Sequence, residues 1–273
     1  MQIKILSPLW GHEHIPLKTF LYKVRTAGYD GVETWVPDSP EDKRLLFDYL
    51  EREGMYLVTH QHQASGSTFA QFKADYIRNL HICAEPRPLL INSHTGRDYF
   101  TLDQHLALVD VADEFTAKTG ITVVHETHRG RLGYSPQMTG ILFELRKEFR
   151  ITADFSHWVC VTESMLQHFG GIVDEAIKRS RHIHARVGFE EGPQVPDPRD
   201  PEWKYAVEQF FGWWDRIIAV NAEAGCALFP ITTEFGPPPY MPVMPFSGRP
   251  LSDQFEVNGH MMGLLRERYK PYC

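Results

Sequence analysis

The sequence predicts one α/β domain over residues 1–273, folded as a single (β/α)8 barrel. Three observations carry that reading. The 273 residues approach the roughly 250 typical of such a barrel. Eight short apolar runs alternate with segments of helical spacing, the pattern of a parallel sheet. The first run is followed by Ser7-Pro8-Leu9-Trp10-Gly11, and the absence of a glycine-rich phosphate loop there disfavours a doubly wound open sheet.

Each element has its own signal. Ile3 to Leu6 reads as the first strand, and Leu17, Phe20, Leu21 and Val24 put an apolar stripe on a helix from Pro16 to Ala27. Gly28 closes that helix. Strand two is Gly31 to Trp35; Ser39 then caps a helix with Pro40 at its first position, ending at Gly54. Strand three, Met55 to His60, leads to a helix from Thr68 to Ala84. Strand four, Leu89 to His94, leads to a helix that starts after Thr101 and stops at Gly120. Ile121 to His125 and Ile151 to Asp154 are strands five and six, with a helix from Pro136 to Phe149 between them. A helix from Gly171 to Arg179 precedes strand seven, His182 to Val187. After a loop rich in Gly and Pro, Trp203, Val207, Phe210, Trp214 and Ile217 mark the most regular helix in the chain. Leu228 to Thr233 is strand eight, and a last helix spans Asp253 to Tyr269.

Composition narrows the function. The formal net charge is -7 and there is no run of Lys or Arg, so no nucleic-acid partner is expected. The four cysteines form no CxxC pair, as expected of reduced thiols in a cytoplasmic protein. No apolar stretch reaches 18 residues, and the run near the amino end is too short for a secretory signal. A cytoplasmic location without a membrane partner is the expectation, and a homo-oligomer is open.

The chemistry is expected where strands end. In a parallel barrel, polar residues at the carboxyl ends of strands face one mouth. Glu126, Asp154, His184 and Glu234 follow strands five, six, seven and eight in turn. Singly, each acid is better explained as a helix cap or a loop charge. Together they form a ligand set of three carboxylates and one imidazole, which suits a divalent ion: Mn²⁺ foremost, or Mg²⁺, Co²⁺ or Zn²⁺. His182 shares a strand face with His184, but His184 lies nearer the carboxyl end. His60, His62 and His94 are further ligand or hydrogen-bonding candidates. Trp10, Trp35, Trp158 and Phe235 are candidates for stacking on a sugar, and Arg129, Arg131 and Arg186 for binding it. Glu33 closes strand two with no role assigned.

At Glu126, Asp154 with His157, His184 in His-x-His, and Glu234, the chain resembles the xylose isomerase-like TIM-barrel superfamily. That group holds ketose 3-epimerases, hydroxypyruvate isomerase, inosose dehydratase and endonuclease IV. The resemblance implies a metal held by Glu126, Asp154, His184 and Glu234. It also implies that Glu126 and Glu234 are the acid/base pair that moves a proton through an enediolate, with His157 holding a small-molecule sugar substrate. The epimerases carry an arginine six residues beyond the second His of His-x-His, where this chain has Glu190; Arg186 is the substitute. His62, His94 and Trp158 complete the expected substrate contacts. Endonuclease IV carries further metal-binding histidines after strands three and four, matched by His60 or His62 and by His94. Its Asp-x-His for a third zinc reads Asp197-Pro198-Arg199 here.

The expected activity is therefore a metal-dependent sugar or sugar phosphate isomerase or epimerase. The alternatives are a phosphodiesterase of the endonuclease IV kind, a dehydratase on a keto-polyol, or a sugar-binding protein without catalysis.

Overall fold

A computed structural model describes residues 1–273. Eight parallel strands close into a barrel in the order β1 to β8, with β1 paired to both β2 and β8. The strands are β1 (Gln2–Pro8), β2 (Gly31–Thr34), β3 (Tyr56–Gln61), β4 (Ile91–Ser93), β5 (Val123–Glu126), β6 (Ile151–Ala153), β7 (Ser180–His184) and β8 (Leu228–Thr232). Nine α-helices surround them: α1 (Leu17–Ala27), α2 (Pro40–Glu53), α3 (Phe69–Ala84), α4 (Leu102–Thr119), α5 (Pro136–Leu145), α6 (Phe155–Thr162), α7 (Gly170–Arg179), α8 (Lys204–Glu223) and α9 (Gln254–Arg268).

The helix starts follow their caps. Ser39, Thr68, Thr101 and Ser135 each accept a backbone N–H of the first turn, and Thr101 with Gln104 forms a reciprocal capping box. Gly28, Gly54 and Gly120 end their helices in the left-handed conformation.

Three expectations are corrected. The helix after β5 stops at Leu145, not Phe149, because the Arg179 guanidinium donates to the carbonyls of Phe143, Arg146 and Lys147 and so terminates it. Strand seven ends at His184 rather than Val187. There the chain turns, Arg186 N–H donating back to the His184 carbonyl at 2.9 Å. Helix α6 is an element that the sequence pattern does not predict. Asp154 caps it by accepting the Ser156 N–H, and Phe155, Trp158 and Val159 bury its inner face.

Side chains alternate along each strand, so the inward positions form layers. Leu6, Val58, Leu90 and Val124 make an apolar cluster. Beyond it lies a buried polar layer. Thr152 donates to Asn92 Oδ1 at 2.7 Å, Thr152 and Thr232 contact the two nitrogens of His182, and Thr232 donates to Glu33 at 2.5 Å. Two residues further along, the strands bring the candidate ligands to the mouth.

Candidate active site

Glu126 is the last residue of β5, Asp154 caps α6 immediately after β6, His184 ends β7, and Glu234 follows β8 by two residues. One ligand atom from each lies within 4.8 Å of all the others. Ligands on opposite sides of an ion bound at about 2.1 Å stand about 4.2 Å apart, so the four atoms lie close to the spread that one shared ion requires.

Each of the four is held from behind. His184 Nε2 lies 3.1 and 3.0 Å from the two oxygens of Glu33. A ring nitrogen facing a carboxylate carries its proton, which leaves Nδ1 to face the mouth. Asn92 spends both amide hydrogens on carboxylates, Glu33 Oε1 at 2.9 Å and Glu126 Oε2 at 2.8 Å. Asp154 Oδ1 accepts from the Ser156 N–H and hydroxyl, while Oδ2 meets the Arg186 guanidinium. Arg186 also donates to Ser156 Oγ at 3.2 Å and His157 Nε2 at 2.8 Å, and stands 3.5 Å from Glu234 Oε2.

One contact tests the fit to a cation. His184 Nδ1 and Glu234 Oε2 are 2.7 Å apart, yet both are buried without an aligned hydrogen bond. The contact is a buried ion pair without a well-aligned hydrogen bond, and a cation bound beside it would take the place of the His184 proton and be shared by both atoms. The donor set of three carboxylates and an imidazole also fits a hard or borderline dication.

Electrostatics separates the carboxyls. Burial pushes Glu234 up to about 7, against the pull of His184 and Arg186. Burial acts the same way on Glu126, but His94 and His184 outweigh it and hold that carboxyl well below its usual range. Burial also raises Asp154, although Arg186 opposes it. At His184 burial works against charge, and the carboxylates of Glu234, Glu33 and Glu126 still hold the imidazole well above its ordinary value. Burial depresses His60, His128 and His157 well below theirs and brings His62 down to about 4, so these rings are neutral acceptors at pH 7.

A cavity of about 320 Å³ opens over the cluster, lined among others by Trp10, Trp35, His60, His62, His94, Glu126, Glu234 and Tyr240. That is the low end of the range for small-ligand sites. On one wall, His60 and His94 turn their Nε2 atoms toward Glu126 Oε2, at 3.8 and 3.0 Å, a second converging group.

No protein-family model matches the sequence, and no curated protein matches it. Solved structures do. A D-tagatose 3-epimerase-like protein superposes with a TM-score of 0.64 at 15% identity, covering 100% of this chain and 98% of its own. The probable 3-DHS dehydratase AsbF from Bacillus anthracis gives 0.63 at 14% identity, covering 98% and 100%. Endonuclease IV from Thermus thermophilus gives 0.58 at 11% identity, covering 99% and 100%. The chain shares their barrel fold.

Within that barrel the expected residues do not all meet the cavity. Glu126, Glu234, Arg186, His62 and His94 line it. Trp158 does not. It is fully buried beneath α6, stacked on Phe155 at 5.1 Å, with Nε1 donating to the Gly133 carbonyl. Phe235 is likewise core. His157 is fully buried behind the wall, where its Nε2 accepts from Arg186. Asp197 pairs with Arg199 and accepts from Ser252, so the carboxylate at the third-zinc position is already engaged.

Sequence reasoning missed three groups. His128 lies two residues beyond Glu126, so strand alternation alone points it the same way; its ring centroid is 4.0 Å from that of His157. Tyr240 sits in a proline-rich loop with no strand-end signal and packs on Trp10 and over Arg186. Asn92 reads as an ordinary strand residue, and only the closed barrel brings its amide between two carboxylates.

Proposed function

We propose that the protein is a divalent-metal-dependent isomerase or epimerase acting on a sugar or sugar derivative. The observation that carries this reading is the convergence of Glu126, Asp154, His184 and Glu234 beneath a cavity that both glutamates line. When bound there, a divalent ion would polarise a substrate carbonyl and make the neighbouring C–H more acidic.

The protein's own groups supply the rest. Glu126, kept ionised by His94 and His184, is suited to remove a proton. Glu234, which lines the same cavity, is suited to return one. The two glutamates come from strands that are not neighbours in the barrel, so they approach a substrate from different sides, as epimerisation or aldose–ketose exchange requires. Trp10, Trp35 and Tyr240 offer apolar faces to a sugar ring. Arg186, held by Asp154 and Ser156, stands in the cavity wall 3.5 Å from Glu234 Oε2.

The test combines metal uptake with proton exchange. Purified protein is expected to bind Mn²⁺ in a calorimetric titration and, with Mn²⁺ present, to exchange the α-hydrogen of a ketose with deuterium from solvent, read by NMR. Glu126→Gln and Glu234→Gln should each remove exchange while the protein stays folded. No divalent ion taken up and no exchange across a ketose panel would sink the proposal.

A second reading, a metal-dependent phosphodiesterase, is favoured by the converging His60, His94 and Glu126. Cleavage of abasic duplex DNA in a gel assay would support it over the first. A dehydratase would give itself away by a new conjugated chromophore formed without epimer.

A further inference from the structure

The loop after β5 reads His128-Arg129-Gly130-Arg131, and Arg131 belongs to the wall of the 320 Å³ cavity. Its Nη1 is fully buried and has no hydrogen-bond partner. The cavity's other arginine differs: Arg186 is committed to Asp154, Ser156 and His157. Glu13, the loop carboxylate of the lining, is exposed and forms no ion pair with Arg131.

Nor is Arg131 a loosely tethered side chain. Its own N–H donates to the His128 carbonyl at 3.1 Å, the next N–H to Thr95 at 2.9 Å, and the Gly130 carbonyl accepts from Asp98. Gly130 makes this turn with φ +76, a conformation that favours glycine. The backbone therefore fixes where the guanidinium starts. A buried N–H of a charged group left without an acceptor is destabilising, so its retention at a cavity wall is best explained by an acceptor that arrives with the ligand. The planar fork of a guanidinium matches a carboxylate or a phosphate.

We propose that Arg131 anchors a subsite for an oxyanion, so that the substrate is an acidic sugar derivative, a sugar acid or a sugar phosphate, rather than a neutral sugar. This rests on the reading of the cavity as a sugar site. The cavity is small enough that one monosaccharide-sized molecule reaches both Arg131 and the glutamates. A chain of net charge -7 does not attract anions in general, so selective anion binding has to be local.

The test is a calorimetric comparison of D-fructose, D-fructose 6-phosphate and 5-keto-D-gluconate with Mn²⁺ present. At least one anionic probe is expected to bind roughly tenfold to a hundredfold more tightly than D-fructose, the range of one charge-assisted hydrogen bond. Which of the two does so tells phosphate from carboxylate. Arg131→Gln should bring the ratio to within about twofold, and Arg131→Lys should restore part of it. No anion preference in the parent protein, or an equal loss for all three probes in Arg131→Gln, overturns the proposal. A separate Mn²⁺ titration without sugar keeps the two readings apart: failed metal uptake counts against the isomerase, while an anion preference that survives chelation leaves the Arg131 subsite standing.

Discussion

At His12, packing costs an imidazole its charge. The ring lies flat on Phe20 at 5.5 Å and edge-on to Phe255 at 5.7 Å, and Nε2 is buried without a partner. Burial first, and then Lys23 and His14, bring its pKa down from 6.5 to about 4. The unfolded chain therefore binds the proton more tightly than the folded one. His12 gives its full stability above pH 6.5, and this is lost as the pH falls toward 4, about 2 kcal/mol by pH 5. His12→Phe should match the parent in urea at pH 7.5 and exceed it by about that amount at pH 5; equal midpoints at both pH values would refute the assignment. The same scale shows what single residues disclose in advance. Glu126, Asp154, His184 and Glu234 are readable because each ends a strand, and strand ends in a barrel share a mouth. Glu33 and Asn92 are not, since their roles depend on which side chains stand across the lumen, and strand patterns carry no such information; His128, by contrast, follows from alternation two residues beyond Glu126.

Among the elements, α6 is the instructive one. Asp154-Phe155-Ser156-His157-Trp158 reads as chemistry after a strand, whereas Asp154 is at once a cap and a candidate ligand, and Phe155, Trp158 and Val159 form the buried face of a helix of eight residues. Short helices give too few turns for periodicity to register. Where three or more turns are present, as in α1, α2, α4 and α8, the apolar stripe marks the element, joined in α2 and α4 by caps at both ends. Trp158→Ala should remove the stack on Phe155 and the bond to the Gly133 carbonyl, destabilising the fold by about 3–5 kcal/mol, seen as a lower urea midpoint. A Trp158 that contacted substrate would instead raise KM while leaving the midpoint unchanged.

For the whole molecule, the reading of Glu126, Asp154, His184 and Glu234 as an ion site has a thermal consequence. These residues tie four consecutive strands, so an ion bound among them stabilises the barrel as a unit. Mn²⁺ at a hundred times its dissociation constant should add about 2.7 kcal/mol, which for a chain of this size raises the melting temperature by roughly 5 to 10 °C. Scanning calorimetry with Mn²⁺ and with a chelator checks this; identical transitions would argue against an ion at the cluster. No helix is long and apolar enough to cross a membrane. The barrel itself is legible because alternation and length are properties of the whole chain, and eight repeats outweigh an error of a few residues at any one boundary.

The bond between Glu33 and His184 joins β2 to β7, strands that are not adjacent in the ring. It therefore crosses the lumen, and in an unclosed sheet the two side chains lie far apart. Closure depends on β1 meeting β8, where Gln2 pairs with Leu228, a contact between the two ends of the sheet and a slow step for a folding chain. Until it forms, the Glu33 side of the His184 ring has no partner, and only Glu234 after the neighbouring strand contacts Nδ1. An ion bound as proposed would thus arrive at a finished barrel instead of templating one, and its effect would fall on how slowly the barrel opens, with little on how quickly it assembles.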